Sequence, residues 1–291
     1  MKSGHGQNVY ESKRESIKEP QLKVFAVVNQ KGGVGKTTTS VNLAACLAAM
    51  RRRVLLIDLD AQGNATMGCG VDKAALTESV YDVLVLDHGL RDVMVDGAGG
   101  LKVVGSNADL TGAEIDLLDL EDREYRLKMA LSRAIDEFDY VIIDCPPALN
   151  LLTINALAAA TSLIIPMQCE YYALEGLSAL VETIKRVVAH LNPSLQIEGI
   201  VRTMFDPRNS LTKDVSEQLQ QHFGEKLYRT VIPRNVRLAE APSHGLPIVA
   251  YDPTSSGAKA YLALAGELVR RELDAVSIMD RGAPDAVTKT D

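Results

Sequence analysis

The segment 29–38 constrains the fold of this chain most, because it places a glycine-rich turn between a predicted strand and a predicted helix. It follows the apolar run 24–28 and precedes the helical pattern 41–49. Glycines let the backbone turn tightly and point successive N–H groups at an anion, and the start of the next helix adds its positive end. The segment therefore predicts a phosphate-binding loop, in which Lys36 reaches the outer phosphates and Thr37 ligates Mg²⁺.

The loop departs from the usual Gly-x-x-x-x-Gly-Lys-Thr spacing, because Gln30 stands where the first glycine is expected and a second lysine, Lys31, follows it. The form Lys-Gly-Gly-Val-Gly-Lys-Thr resembles the deviant Walker A motif of the ParA/MinD class of ATPases. The resemblance implies that Lys31 crosses a dimer interface to the phosphates of the partner subunit's nucleotide, and that Lys31 and Lys36 both act in catalysis. A second cation on the γ-phosphate stabilises charge that develops in phosphoryl transfer. The residues that the resemblance assigns to nucleotide binding in this loop are Lys31, Gly32, Gly33, Val34, Gly35, Lys36, Thr37 and Thr38.

Short apolar runs alternate with helical patterns along most of the chain, which predicts an α/β fold. With 291 residues, 46% of them hydrophobic, the chain can form one large core. We expect a single doubly wound domain over 22–273, with a mostly parallel sheet covered by helices on both faces, and flexible tails at 1–21 and 274–291. Residues 72–120 are less regular and predict an addition at the sheet edge. The predicted strands are 24–28, 54–59, 101–104, 140–144, 163–167, 197–203 and 227–232, and the predicted helices are 37–50, 123–137, 149–159, 173–191, 211–223 and 257–273.

Two predicted strands end in carboxylates, the earlier one in Asp58 and Asp60 and the later one in Asp144. Ligands of open α/β sheets bind at the carboxyl ends of strands, where these acids lie. The later strand has Walker B form, so Asp144 is expected to hold a water of the Mg²⁺ shell. The segment Asp-Leu-Asp-Ala-Gln-Gly-Asn that starts at Asp58 resembles the switch segment of the ParA family, which implies that Asp60 orients or activates the hydrolytic water and that Asp58 supports it, with a Mg²⁺ contact possible. Each acid alone is better explained as a helix cap, whereas the three motifs together favour the site.

Three later segments, 150–157, 166–176 and 232–243, resemble chromosomal-type (Soj-like) ParA partition ATPases, so the resemblance covers about residues 22–273. It implies an enzyme that hydrolyses ATP, with ATP and Mg²⁺ as cofactors. It places Pro233 and Asn235 where the family contacts the adenine ring. It also implies a homodimer in the ATP-bound state and a ParB-type centromere-binding protein that stimulates hydrolysis.

The distribution of charge separates one region from the rest. The formal net charge of −7 argues against nucleic-acid binding by the whole surface, but residues 202–237 carry seven basic residues against four acidic ones. The family resemblance places Arg208 and Arg237 in this region at positions of nonspecific duplex DNA contact. Arginine contacts to phosphates give affinity without sequence choice, although either arginine can also be an ordinary surface residue. The expected location is cytoplasmic, on the nucleoid.

Two other ATPase functions compete with this interpretation. A MinD-like membrane switch uses a terminal amphipathic helix, but the last predicted helix is followed by the acidic-leaning segment 274–291, whereas membrane-surface helices are basic. No membrane partner is therefore expected. An ATP-dependent small-molecule ligase, similar to dethiobiotin synthetase, needs a metabolite pocket, and the sequence has no distinctive set of residues for one. A third alternative, a transcription regulator with a helix-turn-helix, is not expected, because residues 1–21 are too few to hold that module.

The cysteines and the hydropathy exclude further classes of protein. No apolar run is long enough to span a bilayer, and the polar start lacks the apolar centre of a signal peptide, so we expect a cytoplasmic protein. The cysteines are widely spaced, without metal-ligand spacing, which predicts reduced structural thiols rather than the cluster ligands of the related nitrogenase iron protein. These residues are Cys46, Cys69, Cys145 and Cys169.

Overall fold

Eight strands form one sheet in residues 22–281, the part of the chain that the computed structural model describes. The order of strands across the sheet is β3-β4-β2-β5-β1-β6-β7-β8, and every neighbouring pair is parallel except β3 with β4. The mostly parallel, doubly wound sheet that the sequence predicts is therefore confirmed. The strands are β1 Lys23–Val27, β2 Val54–Asp58, β3 Met94–Gly97, β4 Leu101–Val104, β5 Tyr140–Asp144, β6 Ser162–Gln168, β7 Gln196–Phe205 and β8 Leu227–Pro233.

Helices connect the strands and cover both faces of the sheet. Their bounds are α1 Lys36–Ala49, α2 Asn64–Gly68, α3 Val80–Leu84, α4 Leu90–Val93, α5 Ala113–Asp116, α6 Arg126–Ser132, α7 Leu151–Ala159, α8 Ala173–His190, α9 Ser210–Phe223, α10 Val236–Glu240, α11 Ile248–Tyr251 and α12 Ser256–Arg281. None of the helices within residues 22–281 is both long enough and apolar enough to cross a membrane.

Each face of the sheet carries its own hydrophobic core, because successive residues of a strand point to opposite faces. In β1, Val24 and Ala26 enter the core that α7 and α8 cover, whereas Phe25 and Val27 enter the core that α1 and α12 cover. Strands buried on both sides read as nearly unbroken apolar runs, which is why the sequence signal for them is strong. The helices leave the carboxyl ends of β1, β2 and β5 open.

The irregular region 72–120 contains β3, which the sequence analysis did not predict. β3 pairs antiparallel with β4 and forms the end of the sheet, so the expected addition at the edge is present. Gly99 and Gly100 form the turn between the two strands with φ of 89° and 79°, a conformation that glycine adopts without steric cost. The signal was weak because β3 has four residues and is only partly buried.

The helix predicted over 123–137 is shorter in the structure. α6 covers Arg126–Ser132, and a separate 3₁₀ turn follows at Ile135–Glu137. The side chain of Asn155 accepts the backbone N–H of Leu127 at 3.1 Å and donates to the carbonyl of Arg123 at 2.7 Å. This side chain of α7 takes backbone groups that a longer helix would pair internally, so α6 begins later.

The last helix is longer than predicted. α12 continues beyond residue 273 to Arg281, so the first part of the expected tail 274–291 is helical. The sequence 274–281 has neither glycine nor proline, and Gly282 is the first residue that disfavours a helix. The expected tail 1–21 and the remainder of the expected tail after Arg281 lie outside the described residues.

Candidate nucleotide-binding site

The loop between β1 and α1 has the backbone geometry of a phosphate cradle. Gly33 and Gly35 have φ of 73° and 88°, so both need glycine. A Cβ atom added at Gly32 or Gly33 would meet nothing within 4 Å, which shows that this side of the loop faces open space. Gly35 precedes α1 and no side chain caps the helix start, so its N–H groups are left to an anion.

Two side chains that the sequence analysis did not assign hold the loop against β6 and β7. Asn29 donates from Nδ2 to the carbonyl of Pro166 in β6 at 2.8 Å and accepts the N–H of Lys31 at 3.0 Å. Thr203, near the end of β7, donates its hydroxyl to the carbonyl of Val34 at 2.7 Å. The loop is therefore held in shape by two neighbouring strands, independently of any ligand.

The two lysines of the loop point in different directions. Lys36 is buried, and its Nζ donates to the carbonyl of Lys31 at 3.1 Å. Burial lowers the pKa of the Lys36 ammonium, and the charges of Asp144 and Asp60 oppose that shift. Lys31 is about half exposed, and its Nζ forms an ion pair with Glu170. Lys36 thus contacts the backbone of its own loop, whereas Lys31 lies at the exposed rim of that loop.

The acids at the ends of β2 and β5 lie side by side, since Asp58 and Asp144 are register partners and both are fully buried. Asp144 accepts the hydroxyl of Thr37 at 2.8 Å on Oδ2 and the hydroxyl of Ser40 at 2.7 Å on Oδ1. Ser40 was not among the predicted site residues. The structure therefore brings Thr37, Asp58 and Asp144 together as predicted.

Asp58 is held by Thr66 of α2 rather than by α1. Asp58 accepts the N–H and the hydroxyl of Thr66, each at 2.8 Å, on Oδ2. Its Oδ1 accepts the N–H of Asp60 at 3.1 Å. The Asp60 carboxylate is only partly buried and accepts the N–H of Gln62 at 3.0 Å. Asp58 therefore fixes the backbone from which Asp60 projects.

Burial changes the pKa of the two acids at the ends of β2 and β5. Burial raises the pKa of Asp58 and of Asp144, and the charge of Asp58 raises the pKa of Asp144 further. The hydrogen bonds from Thr66 and from Ser40 oppose these shifts. A divalent cation would favour the charged forms, and hydroxyl and carboxylate oxygens are ligands that Mg²⁺ prefers. The residues present therefore fit Mg²⁺, with Thr37 and Asp144 nearest to the phosphate loop.

The predicted adenine contacts have other partners in the structure. Pro233 ends β8, and Asn235 caps α10 by accepting the N–H of Leu238 at 3.2 Å. The Asn235 amide also donates to the hydroxyl of Ser256 at 2.6 Å. A cleft of about 400 Å³ opens beside the start of α1, between α2 and residues 241–246, and Pro233 and Asn235 are not among its lining residues. The adenine contact of these two residues stays a prediction.

Both predicted DNA-contact arginines are exposed and ion-paired. Arg208 donates to both carboxylate oxygens of Asp206, at 2.9 and 2.8 Å. Arg237 donates to Glu240 at 2.8 Å and lies 3.6 Å from a carboxylate oxygen of Asp252. The sequence analysis counted these arginines as positive charge, but each has an acidic neighbour that offsets it.

The four cysteines are buried and form no disulfides. Burial raises the pKa of all four thiols. Within residues 22–281 no cysteine belongs to a group of three or more His, Cys, Asp or Glu side chains that could hold a metal ion.

Fold and loop together define a phosphate-loop nucleotide-binding protein of the α/β class. Residues 22–197 match a family model described as an AAA domain. The chain is 56% identical over 247 residues to the sporulation initiation inhibitor protein Soj of Bacillus subtilis, which covers 84% of this chain and 98% of that protein. It is 50% identical over 256 residues to the chromosome partitioning protein ParA of Caulobacter vibrioides, covering 87% of this chain and 96% of that one. The chain belongs to the ParA/Soj family of chromosome-partitioning ATPases.

A solved structure supports the same fold. The crystal structure of cobyrinic acid a,c-diamide synthase from Mycobacterium smegmatis, with bound ADP and magnesium, matches with a TM-score of 0.77 and 38% identity, covering 87% of this chain and 96% of that one. The name of that protein describes a different activity from partitioning. The identity to Soj and ParA is higher, and the family assignment rests on those two relatives.

Proposed function

We propose that this protein is a DNA-partitioning ATPase that dimerises with ATP and Mg²⁺, binds duplex DNA nonspecifically as a dimer, and leaves DNA when a ParB-type protein stimulates ATP hydrolysis. Membership of the ParA/Soj family supports the class of activity. The observation that carries the dimer is the different placement of the two loop lysines. Lys36 is buried over its own loop, whereas Lys31 is exposed at the rim beside Glu170.

The residues of the cradle suit an ATP polyphosphate. The loop N–H groups and Lys36 would bind the phosphates, and Thr37 and Asp144 would hold Mg²⁺. The metal would neutralise negative charge that develops on the phosphoryl oxygens. Asp60 orients the hydrolytic water, and Asp58 supports this role by fixing the Asp60 backbone at 3.1 Å.

A dimer adds what one subunit lacks. Lys31 leaves Glu170 and contacts the phosphates bound by the partner subunit, so each site receives a second cation only when two subunits meet. Because a fixed cation stabilises charge in the transition state, assembly and hydrolysis become coupled. Dimerisation also places two copies of Arg208 and Arg237 on one surface, which strengthens a weak electrostatic contact with DNA.

The MinD-like alternative has less support, because the apolar residues in the first half of α12 pack inside the protein. Ala258, Tyr261, Leu264 and Leu268 of α12 lie in the core with α1. Liposome sedimentation with ATP, set against duplex-DNA binding with ATP, separates the two functions.

The test is the variant Asp60→Ala, which should bind ATP, fail to hydrolyse it and accumulate as a dimer that holds DNA. Light scattering gives the mass, and DNA binding is measured with ATP, with ADP and without nucleotide at two salt concentrations. The matched control adds Lys31→Ala to the same variant and should bind ATP as a monomer. An Asp60→Ala protein that is saturated with ATP and still monomeric contradicts the proposal.

A further inference from the structure

The loops that follow β7 and β8 bring a carboxylate and two arginines to one place on the surface. Asp206 comes directly after β7, and Arg234 comes directly after β8. The last residues of these strands, Phe205 and Pro233, are register partners, so the two loops start next to each other. We call Asp206, Arg208 and Arg234 the β7–β8 corner.

Asp206 faces both arginines of the corner. It accepts two hydrogen bonds from the Arg208 guanidinium and a third, at 3.0 Å, from the Arg208 backbone N–H. The hydrogen bonds from Arg208 lower the pKa of Asp206 to about 2, and the charge of Arg234 adds to the shift. Arg234 is exposed, and none of the ion pairs within residues 22–281 includes it.

The corner differs in charge from the surroundings of Arg237. Asp206, Arg208 and Arg234 together carry a net charge of +1, whereas Arg237 with Glu240 and Asp252 carries −1. The corner therefore attracts a polyanion more strongly than the surroundings of Arg237 do, and Asp206 halves its positive charge. The Arg208 side chain is 88% exposed, so a DNA phosphate can reach its guanidinium.

We propose that Asp206 limits the affinity of this surface for duplex DNA and that Arg234 is a further contact for DNA phosphates. Asp206 occupies the Nε and Nη2 donors of Arg208, so a DNA phosphate either displaces this carboxylate or binds the remaining guanidinium donors beside its negative charge, and both cost binding energy. The same cost applies in every subunit. A single corner then binds DNA weakly, and useful affinity needs two corners in one dimer. Asp206 thereby makes DNA binding depend on the ATP-driven assembly of the proposed function, on which this inference rests.

The test compares Asp206→Asn with Asp214→Asn in the full-length protein, using fluorescence anisotropy of a labelled duplex of random sequence. Both variants remove one negative charge, but Asp214 lies exposed on α9 and belongs to no ion pair within residues 22–281. Water screens exposed ion pairs and keeps them weak, so Asp206→Asn should bind DNA at most about fivefold more tightly per corner. Its affinity with ADP should rise by the factor for one corner, and its affinity with ATP should rise by about the square of that factor, because the dimer uses two corners.

The salt dependence tests Arg234 separately. Arg234→Ala should weaken binding for all sequences and reduce the slope of log K against log salt by about one for each phosphate that is no longer neutralised, whereas Arg234→Lys should keep most of the slope. An Asp206→Asn protein that binds no more tightly than Asp214→Asn, or an unchanged slope in Arg234→Ala, overturns this inference alone. A wild-type protein that binds no DNA in any nucleotide state overturns the proposed function together with it. Thermal melting of each variant verifies that it is folded.

Discussion

The phosphate-binding edge and the β7–β8 corner both lie beyond the carboxyl ends of strands, but the protein prepares them differently for anions. At the phosphate-binding edge, Lys36, Asp58 and Asp144 are buried and oriented by hydrogen bonds from inside the fold. At the corner, Arg208 is exposed and already neutralised by Asp206. Buried, preorganised charges interact strongly with a ligand, whereas exposed charges are screened by water and salt. We therefore expect large effects of substitution at the first region and small, salt-dependent effects at the second.

The largest effect is expected from Lys36→Ala. This variant removes charge-assisted hydrogen bonds to phosphate from a buried position, so nucleotide affinity should fall about 100-fold, which corresponds to about 3 kcal/mol. Isothermal titration with ATP and Mg²⁺ measures it. Lys31→Ala is the matched control and should retain nucleotide affinity in the monomer, because Lys31 pairs with Glu170 at the rim. An equal decrease in nucleotide affinity in both variants would contradict the distinction between the two lysines.

A smaller effect is expected from Ser40→Ala, which removes one hydroxyl donor from Asp144 and leaves a buried carboxylate oxygen without it. The loss of a donor to a buried charged group costs about 1–3 kcal/mol, so the Mg²⁺ concentration for half-maximal nucleotide binding should rise about tenfold. Ser178→Ala is the matched control, since the Ser178 hydroxyl donates to the carbonyl of Leu174 four residues earlier, the position that the carbonyl of Lys36 has relative to Ser40, but it contacts no carboxylate. If both variants behave like the wild type, Ser40 has no role in orienting Asp144.

The smallest effect is expected in the pH dependence, and it separates the two regions directly. Asp58 and Asp144 have raised pKa values in the folded protein, so without ligand the folded state holds more protons than the unfolded state as pH rises above the ordinary carboxyl value of 3.8. The free energy of unfolding of the ligand-free protein should therefore decrease from that pH toward neutrality. The stabilisation by Mg²⁺ with nucleotide should be larger at neutral pH, because Mg²⁺ needs the charged carboxylates. Each 1 kcal/mol shifts the melting temperature by about 2–4 °C in a protein of this size.

The corner supplies the contrast for that measurement. Asp206 has its pKa lowered to about 2, so it stays charged across the same pH range, and the weak DNA affinity measured without nucleotide should not follow the titration of the buried acids. Calorimetric melts at several pH values, with and without Mg²⁺ and nucleotide, check the first part, and anisotropy checks the second. A ligand-free stability that rises steadily toward neutral pH would contradict the raised pKa values.

Much of the site could be predicted from the sequence because its residues are adjacent in the chain or end apolar strands. Gly33, Gly35 and Lys36 lie within one loop, and Asp144 ends a strand that is apolar on both faces. The contacts that complete the site join distant residues. Ser40 contacts Asp144 across 104 positions, and Thr203 reaches the loop across 169 positions. No local pattern marks such pairs, and Glu170 in particular reads as an ordinary surface acid.

The sequence by itself determined the alternation of strands and helices, the phosphate loop and the acids that face it, because periodicity and glycine geometry are local properties of the chain. Only the tertiary structure decided which charges are free to act. It buried Lys36 and left Lys31 exposed, and it paired Arg208 with Asp206 and Arg237 with Glu240. The strength of a charge depends on its burial and on its nearest opposite charge, and both are set by how the elements pack.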